Sequence, residues 1–432
     1  MTAARLCSRS ACHDRGTGHR HDRPFRPHVR DISMVRFVLV PLPAHGHAAP
    51  MLALAQGLRA AGVATAVAVN AEFAAPFTAA GIDVAPIEAT VRRHIPDRTT
   101  ARQVTREVGE IRRLRQSMKR SVDQVARLLA GGPGTILVAD IGARWAIEAA
   151  DRTGTPFAVL FASHAFNEEL FVSEVGKRMG RRAAGVARRL RLGPRLIPAI
   201  RSTPPRAEVG LVNSIEELQP EPQMFREGYR MVGPLRKTDD HHEPVELPWG
   251  QGERLLYVST GTFFTRGEEF FRKVVHAFAD SSWNVVLSTA HTDPAALGAL
   301  PGNVVAHRYV PQLSMLERSA VFITHGGINS VFESIAARVP MVLVPRSEEQ
   351  ATNARGIADE GAGVAIDVTA DAEQIRQAVE QVHTDPAVAA NVAALAERIE
   401  HRKLGPAAAV KALLEVAARL DFIPRPQGRL EV

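Results

Sequence analysis

Three groups of residues in this 432-residue sequence have the types and spacing to do chemistry. The first is Pro43-Ala44-His45-Gly46-His47-Ala48-Ala49-Pro50, directly after the apolar run 35–42. The second is Asp140, which closes another apolar run, Thr135–Asp140. If these runs are strands one and four of a doubly wound sheet ordered 3-2-1-4-5, they are neighbours about 4.8 Å apart, and the binding crevice lies beyond their carboxyl ends. His47 in the loop after the first strand would then meet Asp140. A carboxylate beside an imidazole fixes its tautomer and stabilises the imidazolium formed on taking a proton, which suits a general base. His45 is the alternative base. The third group is His325-Gly326-Gly327-Ile328-Asn329-Ser330, followed by Glu333, after the run Val321–Thr324. Glycines there let an anion approach the backbone, and exposed amides at the start of a helix hold its charge.

Taken singly, each feature has an ordinary reading. His47 would be a solvated loop histidine, Glu333 an exposed helix carboxylate, and Gly326-Gly327 a tight turn. Their conjunction on one repeating framework carries the functional reading. The turn after the first strand is not G-x-G-x-x-G, and no lysine follows Gly327 in the Walker manner, so dinucleotide binding and nucleotide hydrolysis are disfavoured.

The framework is read from apolar runs alternating with helical patterns, the signature of βαβ units and parallel sheets. Strands are expected at 35–42, 63–69, 84–87, Thr135–Asp140 and 156–161, with helices at 50–61 and about 100–129. The rhythm restarts at 254–259 and continues through Asn284–Ser288, Val304–His307, Val321–Thr324 and 341–345. Residues 237–253 are polar, aperiodic and rich in Gly and Pro, as a linker is. The expected architecture is therefore α/β: two Rossmann-like domains facing each other across a cleft. They span 34–236 and 254–404, and a helix and tail at 405–432 could pack back on the first.

Composition narrows the classes. Apolar residues make 45% and charged residues 23% of the chain, an ordinary globular profile. No apolar run approaches the ~20 residues of a membrane-spanning helix. The two cysteines, Cys7 and Cys12, lie at the start, so no disulfide staples the body. With His13 and His19 they match no common zinc-finger spacing. Residues 1–33 have no apolar segment and no secretion signal, and read as a non-native or disordered extension. The net charge of +7 is concentrated in 1–33, 92–120 and 174–195. No nucleic-acid reading module accompanies it, so a nucleic-acid partner is not expected.

The residues then become recognisable as a set. Tyr309-Val310-Pro311-Gln312, His325-Gly326-Gly327-Ile328-Asn329-Ser330, Glu333, Val339-Pro340-Met341, Pro345 and Glu349-Gln350 resemble the donor signature of nucleotide-sugar-dependent glycosyltransferases of the GT-B superfamily. Pro43-Ala44-His45-Gly46-His47 and Leu137-Val138-Ala139-Asp140-Ile141 extend the likeness to the bacterial natural-product, macrolide-type members. The resemblance implies roles. His325 with the amides of Gly326 and Gly327 grips the diphosphate in charge-assisted contacts, and Asn329, Ser330, Thr260 and Thr262 add donors around it. Glu333 takes the ribose hydroxyls, Gln312 and the Val310 backbone meet the base edge, and Tyr309 stacks on the base. Many relatives carry Trp there, which leaves UDP against dTDP open. Glu349 and Gln350 read hexose hydroxyls, which leans toward a glucose-like donor.

The implied reaction is metal-independent, inverting hexosyl transfer to a hydroxyl of a hydrophobic acceptor such as a macrolide or polyketide. His47 is the base and Asp140 its partner; Phe161, Phe166 and Leu170 lie against the acceptor. No cofactor is implied, the nucleotide sugar being a co-substrate, and no paired carboxylates for a metal stand at a strand end. The basic stretches are solvated surface or a peripheral contact with anionic membrane that collects a lipid acceptor. A cytoplasmic monomer or homodimer is expected. Two rival readings share the architecture: a nucleotide-sugar 2-epimerase, whose acid and base at the sugar's second carbon are not identifiable, and a catalytically inactive accessory protein, against which His47 and Asp140 stand.

Overall fold

The structure is a computed structural model that describes residues 34–90, 101–132, 134–236, 246–249, 254–261 and 267–423, with only the backbone of 101–113 and 267. Residues 1–33, most of the linker at 237–253, Thr262 and the end of the tail lie outside it.

In the first half the elements are β1 (Arg36–Val40), α1 (His45–Ala60), β2 (Ala64–Val69), α2 (Ala71–Ala79), β3 (Asp83–Pro86), α3 (Ala101–Leu129), β4 (Thr135–Asp140), α4 (Arg144–Thr153) and β5 (Phe157–Phe161). There follow α5 (Glu168–Met179), α6 (Arg181–Arg189), α7 (Leu192–Leu196), β6 (Gly210–Val212) and β7 (Tyr229–Met231). The second half runs β8 (Leu255–Ser259), α8 (Gly267–Phe278), β9 (Asn284–Ser288), β10 (Val304–His307), α9 (Gln312–Leu316), β11 (Val321–Thr324), α10 (Ile328–Ala336) and β12 (Met341–Leu343). It closes with α11 (Glu348–Asp359), β13 (Gly363–Ala365), α12 (Ala372–Thr384), α13 (Pro386–His401) and α14 (Pro406–Arg419).

Two parallel sheets result, one ordered β3-β2-β1-β4-β5-β6-β7 and one ordered β10-β9-β8-β11-β12-β13. The central strands are apolar without alternation because helices cover both faces: Phe37, Val38, Leu39 and Val40 of β1 are all buried, and so are Val321, Phe322, Ile323 and Thr324 of β11. β1 pairs with β4 in the register Val40 to Ala139, which puts the ends of both strands on one edge of the sheet. β11 pairs with β8 in the register Thr324 to Ser259, so the segments after these two strands also emerge together.

Each half of the chain contributes to the other's core. The connection between β6 and β7 sends Ile215 and Leu218 into the apolar cluster around β11 and α10. In the other direction, α14 lies in the cluster formed by α1 and the first sheet, with Ala409, Leu413, Val416 and Ala417 buried there. Gly57 on α1 admits the close approach: a β-carbon on it would stand 3.1 Å from Val410 and 3.2 Å from Pro406.

One boundary differs from expectation in a way that matters to the site. α1 starts at His45 and not near Pro50, because the carbonyl of Ala44 accepts the amides of His47 and Ala48. His47 therefore belongs to the first turn of a helix and not to a loop. Leu413→Ala should lower the stability of the whole chain by about 2–5 kcal/mol through the cavity it leaves. Thermal unfolding checks this; an unchanged midpoint would show that α14 is an appendage.

Candidate active site

The crevice between the sheets is bordered by segments at their carboxyl ends, as expected for open α/β sheets. On the first sheet's side His47 Nδ1 donates to Asp140 Oδ2 at 2.7 Å. The other carboxylate oxygen of Asp140 accepts the Gly142 amide at 2.8 Å, and its side chain is fully buried while that of His47 is 34% exposed. A buried carboxylate held at both oxygens fixes the ring with the proton on Nδ1, which leaves Nε2 as the nitrogen with a lone pair. Burial works against the charged form of His47, but the charge of Asp140, its hydrogen bond and the charge of Glu349 together raise the imidazole above its ordinary value. Glu349 is on α11, so the second domain contributes to the basicity of a residue on the first. His45 packs its ring edge-on against Phe73, with centroids 5.0 Å apart, and the described contacts bring it no carboxylate.

On the second sheet's side β11 ends at Thr324, and Gly326 adopts φ 82°, a left-handed conformation that a β-carbon disfavours. The turn delivers Gly327 to the cap position of α10, where no side chain caps the helix and no acidic residue occupies the first turn. The first amides of α10 thus have neither a capping side chain nor a carboxylate in place, and the positive end of the helix dipole is uncompensated locally. Asn353, fully buried, donates from Nδ2 to the Gly326 carbonyl at 2.8 Å and pins the turn from behind.

His325 is clamped between glycines. A β-carbon on Gly261 or on Gly327 would stand 2.6 Å from its ring, so both positions must be bare for the ring to lie where it does. Burial pushes His325 down to about 4, against a backbone hydrogen bond at Ser259 that raises it, while the charge of Arg346 lowers it further. The imidazole is consequently neutral near pH 7. The ring is a neutral hydrogen-bonding group, whose contact with a phosphate oxygen would be charge-assisted by the anion alone, and the positive character of this wall comes from the helix.

The remaining expected donor residues divide into those with side chains presented outward and those engaged within the protein. Tyr309 is 79% exposed at the end of the β10 segment, while its neighbour Val310 is buried. Thr260 is buried directly after β8. Gln312 donates from Nε2 to Ser330 Oγ at 3.0 Å and to Glu333, so these three side chains form one cluster, and the Gln312 amide is not standing ready at a base edge. Gln350 is likewise occupied: its Oε1 accepts the Arg346 amide at 2.8 Å and its own amide meets Ser347 Oγ at 3.3 Å, the local wiring of the start of α11. The bond to Ser347 is from the backbone amide, so Nε2 and the second lone pair of Oε1 remain for a ligand. Glu349 beside it is exposed. Asn329 bridges to the first domain, donating to the Gly46 carbonyl at 3.2 Å. Thr262 lies outside the described residues.

For the acceptor wall, Phe161 requires correction. It sits within β5, 1% exposed, with its ring packed against Phe166 and Tyr229, so it supports the wall from the core and does not line it. Phe166 and Leu170 pack on the same cluster and are only partly buried. The sequence reading missed Asn213, which is fully buried after β6 and joins both domains; the signal available was a polar residue closing the short apolar run 209–212. Among the described residues, no three His, Cys, Asp or Glu side chains converge as a metal site would require.

Comparison with known proteins places the fold and the class of protein. Residues 203–410 match the family model described as UDP-glucoronosyl and UDP-glucosyl transferase. NDP-glycosyltransferase YjiC of Bacillus subtilis is 26% identical over 395 residues, covering 90% of this chain and 98% of that protein. Oleandomycin glycosyltransferase of Streptomyces antibioticus is 34% identical over 194 residues, 44% of each chain. Among solved structures, the calicheamicin glycosyltransferase CalG4 superposes with a TM-score of 0.69 at 26% identity, covering 89% of this chain and 99% of that one. The chain is a glycosyltransferase with the GT-B fold, similar to the bacterial natural-product members of that superfamily. It is a transferase, and its two sheets are the paired Rossmann-like domains of that fold.

Replacing Asp140 by Asn separates the two influences on His47. The parent should lose kcat as pH falls through the raised value of His47, where the base becomes protonated. Asp140→Asn should reduce the plateau by about 10²- to 10⁴-fold. With burial then dominant, its acid limb should move to lower pH. A pH profile of kcat for both proteins checks the sign; a limb that stays in place would remove His47 as the titrating base.

Proposed function

We propose that the protein transfers a hexose from a UDP- or dTDP-sugar to a hydroxyl of a hydrophobic natural product, inverting the anomeric carbon. The observation that carries this reading is the 2.7 Å pair of His47 and buried Asp140 on one side of a crevice whose other side is the uncapped amino end of α10. His47 Nε2 takes the proton from the acceptor hydroxyl as that oxygen attacks the anomeric carbon. Asp140 stabilises the imidazolium as it forms. The C–O bond to the diphosphate breaks on the opposite face of the sugar, and the departing negative charge is received by the amides of α10 with His325 and Thr260 beside them. Metal assistance is not needed in this scheme.

Exposed Tyr309 supplies a face on which a pyrimidine can stack, and the cluster of Glu333 with Gln312 and Ser330 suits the ribose hydroxyls. Glu349 raises His47 from across the crevice, which suits a hexose lying between them with its hydroxyls toward Glu349 and the Nε2 of Gln350. The acceptor lies against Phe166 and Leu170. Mass-spectrometric screening of UDP- and dTDP-sugars against phenolic and alcohol acceptors should give glycosides with the parent and about 10²- to 10⁴-fold less with His47→Ala. Equal turnover by the variant would discard the mechanism, and epimerised donor formed without acceptor would favour the 2-epimerase reading.

A second reading concerns where the acceptor comes from. Met179, Val186, Leu190, Leu196 and Ile197 are exposed large apolar residues along α5, α6 and α7. Eight basic residues and one acid lie between positions 174 and 195. Apolar side chains embedded in a basic face suit the surface of an anionic bilayer, and no described helix is long and apolar enough to cross one. Co-sedimentation with vesicles should rise with anionic lipid content and fall for Leu196→Glu. Binding indifferent to lipid charge, or absent, would eliminate the membrane contact.

A further inference from the structure

We propose that Asn329 is a positioning residue that fastens the donor-binding helix to the turn bearing His47, and that Pro50 is what makes the attachment point available. The inference rests on the functional reading above. In an α-helix each carbonyl takes the amide hydrogen of the residue four positions on. For Gly46, in the first turn of α1, that residue is Pro50, which lies inside the helix and has no amide hydrogen. The Gly46 carbonyl is therefore left without its regular helical donor, and Asn329 Nδ2 donates to it at 3.2 Å from the other domain.

The orientation of the Asn329 amide is determined at its other end. Asn213 Nδ2 donates to Asn329 Oδ1 at 3.2 Å. A reversed Asn329 amide would oppose two NH₂ groups there and two oxygens at Gly46. Asn213 is itself held on both sides: Nδ2 also donates to the Ala162 carbonyl at 3.0 Å, and Oδ1 accepts the Leu235 amide at 2.7 Å. The hydrogen bonds thus leave the first domain at Asn213, pass through the first turn of α10, and return at Gly46, the residue immediately before His47. Asn329 Nδ2 has a second hydrogen, which remains for a phosphate oxygen. One amide thereby registers the diphosphate against the base: the helix that receives the leaving group and the imidazole that takes the proton are set at a fixed separation.

The test is a double-mutant cycle of Pro50→Ala and Asn329→Ala on the full chain, reading kcat, donor KM, the pH profile of kcat and the thermal midpoint. Pro50→Ala returns an amide hydrogen to Gly46 within α1, so the midpoint should hold or rise while kcat falls. Asn329→Ala should lower kcat about tenfold, the scale of one lost hydrogen bond, with a smaller change in donor KM and a displaced acid limb as His47 loses its registration. The double variant should be about as slow as Asn329→Ala alone, since both changes act on the same carbonyl. A loss confined to donor KM, with an unmoved acid limb and full additivity, would overturn the proposal and leave Asn329 as a phosphate ligand. The KM-against-kcat split and the pH limb of Asn329→Ala decide the matter even if Pro50→Ala does not fold. Failure of the functional reading looks different: His47→Ala would then be as active as the parent, and the strap would be judged by the coupling of the two variants in thermal midpoint.

Discussion

Two helix amino ends meet across the crevice, and the chemistry depends on how their positive ends are compensated. Neither α1 nor α10 has a capping side chain or an acidic residue in its first turn. Beside α1 stands Asp140, buried and held by the Gly142 amide, so the first helix has a counter-charge built into the adjoining strand end. No acidic residue in the first turn of α10 plays that part. An electropositive helix end opposite a compensated one defines both the place for an anion and its orientation. That asymmetry follows from strand order: β4 beside β1 brings Asp140 to His47, whereas β8 beside β11 brings the small residues Thr260 and Gly261 to His325.

The same physics treats the two central histidines oppositely. Both pay for burial, which disfavours the imidazolium. His47 recovers it from two carboxylates, Asp140 on its own domain and Glu349 on the other, and ends above its ordinary value. His325 has Arg346 as its charged neighbour and is driven down to about 4. In the proposed reaction the first ring would accept the proton and the second would serve as a hydrogen-bonding group beside the diphosphate. A proton acceptor and a neutral hydrogen-bonding wall are what attack on one face of a sugar and departure from the other require.

Much of the framework was legible because parallel strands buried on both faces leave unbroken apolar runs. Thr135–Asp140, Asn284–Ser288, Val304–His307 and Val321–Thr324 have the bounds the sequence suggests. β6, β7 and β13 are three residues each and were not legible, whereas β12, equally short, was, because the apolar run continues past it through Val344. The start of α1 was hidden for a different reason: Ala44 has no side chain to announce a cap, and Pro50 reads as a helix start although it lies a turn and a half inside. Of the site, residues next to strand ends could be picked out by type, as His47, Asp140 and His325 were. What the sequence could not show were side-chain amides already engaged. Gln312 belongs to Ser330 and Glu333, the Gln350 carbonyl to Arg346, and Asn329 to Gly46 and Asn213, through bonds that span up to 283 positions.

The central claim is one of placement, and a crystal structure of the protein with bound UDP or dTDP measures it directly. The account predicts the terminal phosphate oxygens on the backbone amides of Ile328, Asn329 and Ser330, with the pyrimidine over Tyr309 and the open side of that phosphate toward His47. A diphosphate seated away from α10, or a His47 ring turned from Asp140 in the complex, would contradict it.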